Sequence, residues 1–258
     1  MVDSITPATD DALRARVLAA TGLEDAWPIQ REAFTQWVVE HAFSPGAPDW
    51  ASVGVQVTSD VHAFERAKLR LLNGAHSALA YLGLLRGRET VAEAMADAEL
   101  AEFVRTLMIE DIAPTLSPPP GLDVGAYIEA VLTRFRNPAI RHLLSQIAWD
   151  GSQKLPIRLL GTVRDALEAG RPVRRLATPV AAWMRFVADR ARRGETLVDP
   201  LAETLLKTAD HGVPGFVRIS TIFAPDLTKS DPFRTALDRA YAALASENHK
   251  PLQDKDFD

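Results

Sequence analysis

The chain has 258 residues, of which 47% are hydrophobic and 24% charged, a composition typical of a globular protein with one large domain or two small ones. Its net charge of −5, with Lys and Arg spread along the chain, offers no basic patch for nucleic acid or an anionic membrane surface. The absence of cysteine excludes disulfides, thiolate nucleophiles and cysteine metal sites. The acidic start is unlike a secretory signal and no apolar stretch is long enough to span a bilayer, so we expect a soluble cytoplasmic protein.

Segments with helical periodicity occupy most of the chain. The predicted helices span residues 10–20, 30–40, 61–86, 90–111, 123–134, 138–148, 156–169, 173–191, 199–208 and 232–246. One alternation of apolar residues, Val53, Val55 and Val57, predicts a β-strand, and Asp60 after it is the expected N-cap of the helix over 61–86. The sequence shows no strand and helix alternation, no glycine-rich turn after a strand and no phosphate loop. We therefore expect a mainly α-helical fold with at most a short β element and no dinucleotide-binding domain.

Three polar residues lie inside the apolar helix predicted over 61–86. With about 100° of rotation per residue, Lys68, Asn73 and His76 fall within one arc and can converge on one cavity. Gly74 costs about 1 kcal/mol of helix stability relative to Ala, and it lets a ligand or another backbone approach. Each polar residue also has an ordinary structural explanation: Lys68 can extend to solvent, Asn73 can bond the backbone, and His76 can be a satisfied core histidine.

Together these side chains suit the interconversion of an alcohol and a carbonyl. A desolvated lysine near another cation loses its proton more easily and can act as a base. An amide N–H stabilises an oxygen that becomes negative, and a histidine can orient a neighbouring hydroxyl. The six His residues form neither an H-E-x-x-H motif nor an i, i+4 pair, so we expect no metal site.

The polar helix carries the sequence KLRLLNGAHSALAYLG, which resembles the K-x4-N-G-x-H motif of the polyol-specific long-chain dehydrogenases, the mannitol dehydrogenase and fructuronate reductase family. Residues 134–160, RFRNPAIRHLLSQIAWDGSQKLPIRLL, are similar to the second hallmark of that family. The segments similar to those that precede the first motif are MVDSITP, WPIQREAFTQWVVEHAF and DWASVGVQVTSDVHAFE. The resemblance implies a multi-helical C-terminal domain of the mannitol dehydrogenase type, like that of 6-phosphogluconate dehydrogenase, over residues 1–258.

The resemblance also implies a second domain. Family members carry an N-terminal dinucleotide-binding domain, and the active site lies in the cleft between it and the helical domain. We therefore expect NAD to be bound mainly by a domain that is not present in this chain and lies upstream or in trans. Residues 1–25 are expected to be an interdomain junction, Met1 an internal start or fragment boundary, and residues 248–258 a frayed tail.

The matched motif implies a role for each polar residue of the helix. Lys68 would be the general base that takes the proton of the substrate hydroxyl. Asn73 would supply one arm of an oxyanion hole, and His76 would bond substrate hydroxyls beside the reacting carbon. Glu65 would act as a proton relay to solvent, and Asp3 would reach the substrate; for these two, a solvated carboxylate or a structural ion pair is the alternative.

The second hallmark bears on the substrate. Lys154 would hold distal substrate hydroxyls or a carboxylate and add positive potential beside the base. Gln146 stands eight residues before it, where mannitol dehydrogenases carry Arg. This departure favours the fructuronate reductase branch, also called D-mannonate oxidoreductase, and hence a sugar acid over mannitol or fructose. Its carboxylate needs a cation, and the candidates near this segment are Arg134, Arg136, Arg141 and Arg158.

Two classes of function remain open at this point. The first is the substrate-binding and catalytic domain of a metal-independent, NAD-dependent oxidoreductase that interconverts a secondary alcohol and a ketone. The second is a catalytically silent helical interaction module or truncated fragment that lacks its cofactor domain. The costly polar groups of the helix favour the first, and the missing nucleotide fold favours the second.

Overall fold

The computed structural model describes residues 1–246 and is mainly helical, as predicted. The α-helices α1 to α14 are, in chain order, Asp11–Thr21, Val61–Lys68, Gly74–Leu85, Val91–Ala96, Ala98–Thr106, Val124–Phe135, Leu144–Ile147, Gly151–Leu155, Gly161–Glu168, Arg174–Arg192, Ala202–Thr208, Gly212–Phe216, Pro225–Thr228 and Asp231–Ser246. The π-helical segments are Leu69–Asn73, Leu107–Ile112 and Pro156–Leu160, and the 3-10 turns are Ala51–Val53, Ala113–Thr115 and Ala209–His211. The strands β1 to β3 are Val2–Asp3, Gln36–Glu40 and Gln56–Thr58.

The core surrounds helix α3, in which every residue from Gly74 to Gly83 is buried. Such a helix lacks a solvated face, so its polar residues must find partners inside the protein or in a cavity. The long helix α10 packs against both α3 and α14. None of the helices within residues 1–246 is long and apolar enough to cross a membrane.

The sheet differs from the predicted β element. β2 pairs antiparallel with β1 and parallel with β3, so it forms the central strand of three. The helix predicted over 30–40 is wrong, because β2 occupies residues 36–40 and residues 30–35 are irregular. Trp37, Val38 and Val39 favour a pleated strand, and Val38 is fully buried. The consequence for the site is that β1 fixes the start of the chain, including Asp3, beside the helical core.

Two predicted helices are interrupted. The segment 90–111 breaks at Asp97, whose side chain accepts backbone N–H bonds as the N-cap of α5. The helix predicted over 138–148 survives only as α7. Asn137 lies in a turn before it, where its Oδ1 accepts from Ala139 N at 3.0 Å, and His142 O accepts from Val91 N at 3.0 Å. Backbone hydrogen bonds to the segment at residues 89–91 thus replace the hydrogen bonds of a helix.

The helix predicted over 61–86 is present, with Asp60 as its N-cap at 3.0 Å from Ala63 N. Its middle, Leu69–Asn73, is a π-turn rather than α-helix. A π-turn accommodates an extra residue, so the assumed rotation of about 100° per residue fails across it. Lys68 and Asn73 lie at the two ends of this turn. The predicted frayed tail at 248–258 lies outside the described residues.

Candidate active site

A cavity of about 290 Å³ lies between the start of the chain, the helix that contains the π-turn, and the segment from α7 to the third π-helix. Six of the seven predicted site residues line it: Asp3, Lys68, Asn73, His76, Gln146 and Lys154. The seventh, Glu65, is not among the lining residues; it is partly exposed and its carboxylate lies 3.1 Å from His62 Nδ1.

Lys68 ends helix α2 and is half-buried. Its Nζ donates to the carbonyl oxygen of Val2 at 2.7 Å, so strand β1 holds the amine at the edge of the cavity. An uncharged amine can make this same bond, because it keeps two N–H groups while its lone pair remains available. The contact therefore orients the amine in either protonation state.

Gly74 allows the second π-segment to approach the helix. A Cβ at this position would lie 3.0 Å from the carbonyl oxygen of Arg158. The predicted close approach is therefore made by another backbone. This contact brings the segment that carries Lys154 and Arg158 against the turn of Asn73 and His76.

Three buried polar atoms near the cavity have no hydrogen-bond partner. They are Asn73 Oδ1, His76 Nε2 and His142 Nδ1, and all three residues line the cavity. An unsatisfied buried polar group costs about 1–3 kcal/mol. A ligand that carries several hydroxyl groups would satisfy these atoms, since a hydroxyl can both donate and accept. This cluster is the observation that most directly indicates a polyhydroxylated ligand.

The two histidines form a pair in a desolvated corner. The rings of His76 and His142 meet edge to face with centroids 5.0 Å apart, and His76 stacks on Phe135 at 4.3 Å. Burial and then the neighbouring His142 and Arg158 hold the pKa of His76 well below 6.5. Burial, assisted by the Lys154 ammonium, lowers the pKa of His142 to about 4. Both rings are therefore neutral near pH 7 and can each donate one hydrogen bond and accept another.

Two cations line the opposite part of the site. Lys154 Nζ donates to the carbonyl oxygen of Ile147 at 3.2 Å, and Arg158 Nη1 donates to Ser77 Oγ at 3.2 Å. Burial lowers the pKa of Lys154, and the nearby Arg158 lowers it further. Burial also lowers the pKa of the Arg158 guanidinium. The cavity wall is thus positively charged.

Arg134, named above as a candidate for binding a substrate carboxylate, has a structural role. Its guanidinium binds Asp3 at 2.8 Å and Glu32 at 2.6 Å, and all three side chains are buried. Tyr127 also donates to Asp3 at 2.7 Å. The guanidinium has no free face for a ligand because two protein carboxylates occupy it. Asp3 lines the cavity, but this network already compensates its charge.

Lys154 follows a tight turn in the backbone. Asp150 adopts the left-handed conformation there, with φ of 56°. Gly151 begins α8 and lets that helix pack against Trp183 and Tyr81, since a Cβ would lie 2.7 Å from the Tyr81 hydroxyl. Asp199 holds Ser152 through its backbone N at 2.8 Å and its hydroxyl at 2.5 Å.

Sequence reasoning missed His142 and did not distinguish Arg158 from its neighbours. Tertiary folding brings them to the cavity, and no regular spacing links them to Lys68. Arg136 and Arg141 are exposed and do not line the cavity. Within residues 1–246, no group of three or more His, Asp or Glu side chains could hold a metal ion.

The sequence profile of the mannitol dehydrogenase C-terminal domain matches residues 60–245. The chain is 42% identical to D-mannonate oxidoreductase of Escherichia coli strain K12 over 252 residues, which is 95% of this chain and 52% of that protein. It is 38% identical to a mannitol 2-dehydrogenase of Aspergillus fumigatus, over 96% of this chain and 51% of that protein.

Among solved structures, a ternary complex of Pseudomonas fluorescens mannitol 2-dehydrogenase with NAD and D-mannitol is similar, with a TM-score of 0.87 and 37% identity. The similarity covers 95% of this chain and 51% of that one. The chain spans about half the length of the curated relatives it matches.

Proposed function

Because this chain belongs to the mannitol dehydrogenase family, whose C-terminal domain matches residues 60–245, we propose that it is the substrate-binding and catalytic domain of an NAD-dependent oxidoreductase. The reaction interconverts a secondary alcohol and a ketone on a sugar acid or a polyol, without a metal. One observation carries this proposal: three buried polar atoms without partners line one cavity together with the amine of Lys68.

In the oxidation, neutral Lys68 accepts the proton of the substrate hydroxyl. The C–H bond on the same carbon breaks, its electron pair leaves as hydride and the C=O bond forms. NAD would supply the hydride acceptor and would be held mainly by a dinucleotide-binding domain upstream of this chain or in trans. In the reverse direction, protonated Lys68 returns the proton to the carbonyl oxygen.

The remaining groups bind and orient the substrate. The side-chain amide of Asn73 directs N–H donors at the developing oxyanion once its terminal group turns toward the ligand. His76 bonds a hydroxyl beside the reacting carbon through its unpaired Nε2. Gln146 and Lys154 bond the distal part of the substrate, and Asp3 borders it at the junction segment 1–25. Glu65 relays protons between the site and solvent.

We favour a sugar acid such as fructuronate or mannonate over fructose or mannitol. Gln146 replaces the arginine of the mannitol pattern, and the cavity wall carries positive charge. The 42% identity to a D-mannonate oxidoreductase supports the same choice. A silent interaction module has no need for several unpaired polar groups inside an apolar core.

The test is NADH oxidation with fructuronate and with fructose, run on this chain and on the longest reading frame that contains it. We expect turnover by the longer protein, faster with fructuronate. Turnover by neither protein with either substrate would overturn the enzyme assignment. Turnover by the longer protein alone would show that this chain needs its missing partner domain.

A further inference from the structure

Arg158 stands out as a half-buried, cavity-lining arginine without a carboxylate partner. Among residues 1–246, the largely buried Arg134, Arg70 and Arg175 each form an ion pair with at least one carboxylate. Arg158 forms no such pair in this part of the chain; its recorded bond is to the neutral hydroxyl of Ser77. A buried charge without a partner is costly, and a protein usually offsets that cost with an opposite charge.

No carboxylate pairs with Arg158 at this wall within residues 1–246. Lys154, on the same segment, is also a cation; its amine donates to the carbonyl oxygen of Ile147, and the nearby carboxylates of Asp150 and Asp199 partly offset its charge. Asp3, which lines the cavity, already binds the guanidinium of Arg134 and the hydroxyl of Tyr127. A ligand carboxylate would therefore be the first anion to compensate Arg158.

The position of Arg158 suits the far end of a substrate. It contacts Ser77, which lies nine residues after Lys68. Asn73 and His76 lie between them. Lys68 and Arg158 line the same cavity, so a substrate whose reacting carbon meets Lys68 can contact the unpaired amide and imidazole and place its other end against the guanidinium.

Resting on the function proposed above, we propose that Arg158 is the specificity-determining residue that binds the carboxylate of a sugar acid. Its fork of N–H donors forms two parallel bonds to the carboxylate, while Lys154 adds charge beside them. A polyol lacks the carboxylate, so it leaves the charge of the guanidinium uncompensated and binds less tightly. This pairing therefore selects a sugar acid as the substrate.

The experiment compares the Arg158→Gln variant of the longest reading frame with wild type, using D-mannonate and D-mannitol as substrates with NAD. We expect kcat/KM to fall about 100-fold for D-mannonate and less than about fivefold for D-mannitol, as for loss of one partner in a buried charge pair. Arg136→Gln removes an exposed arginine nearby and should change neither value. Equal losses with both substrates would overturn the proposal.

Two further measurements keep three outcomes apart: a variant that fails to fold, a protein that lacks the proposed enzyme activity, and an Arg158 that does not bind the carboxylate. Arg158→Lys keeps the charge but not the fork, so it should retain the fold and show an intermediate loss, confined to D-mannonate. D-mannonate is also titrated into this chain while the ring signals of His142 are followed by NMR. Saturable shifts that vanish in Arg158→Gln and weaken in Arg158→Lys support the subsite even if no turnover occurs. Shifts that persist unchanged in Arg158→Gln contradict it, as does the absence of both binding and turnover.

Discussion

The neutral His142 ring makes a specific prediction about acid stability. Folding lowers its pKa from 6.5 to about 4. Between these values the unfolded chain binds a proton at this ring that the folded chain does not, so stability is lost as the pH falls. The slope is about 1.4 kcal/mol per pH unit, and the accumulated loss at pH 4.5 is about 2–3 kcal/mol. Above pH 6.5 the ring contributes no pH dependence.

The assay is urea unfolding at pH 7 and pH 4.5 for wild type and for His142→Asn. Carboxylates titrate in both proteins, so their contribution cancels in the comparison. We expect the free energy of unfolding of wild type to fall by about 2–3 kcal/mol more than that of the variant. His62→Asn removes an exposed ring and should behave as wild type does. Equal falls in wild type and in the His142 variant would refute this reasoning about burial.

Two other substitutions test the packing that positions the site. Gly151→Ala should lower the free energy of unfolding by about 2–3 kcal/mol, because its Cβ would lie 2.7 Å from the Tyr81 hydroxyl. Gly125→Ala has no such clash and should be neutral or stabilising. Equal thermal midpoints for the two variants would contradict this account. Arg134→Met leaves two buried carboxylates without their cation and should cost about 3–5 kcal/mol in chemical unfolding, against under about 1 kcal/mol for Arg105→Met in an exposed pair.

Helical periodicity predicted much of the fold, and the K-x4-N-G-x-H motif predicted the part of the site that carries Lys68, Asn73 and His76. Lys68, Asn73 and His76 are close in sequence, so their convergence follows from a single helix, even though its π-turn at Leu69–Asn73 changes the assumed angles. The strand Gln36–Glu40 was missed because its stability comes from partners at both edges, which local sequence does not encode.

The other wall depends on contacts between distant segments. Asp3 and Arg134 are separated by 131 residues, and nothing in their spacing distinguishes a structural pair from a substrate cation. His142 was hidden inside a predicted helix that is in fact mostly extended or turn structure. Arg158 becomes distinctive only once its neighbours are known, since its lack of a counter-ion is a property of the folded core.

The proposed base is tested most directly by Lys68→Met in the longest reading frame that contains this chain, assayed for oxidation of D-mannonate. The account predicts a fall in kcat of about 100- to 10,000-fold, the usual contribution of a general acid or base, while NADH binding measured by fluorescence stays close to wild type. Lys207→Met, at an exposed position, should leave both quantities unchanged. A Lys68→Met enzyme that turns over at the wild-type rate would contradict the central claim.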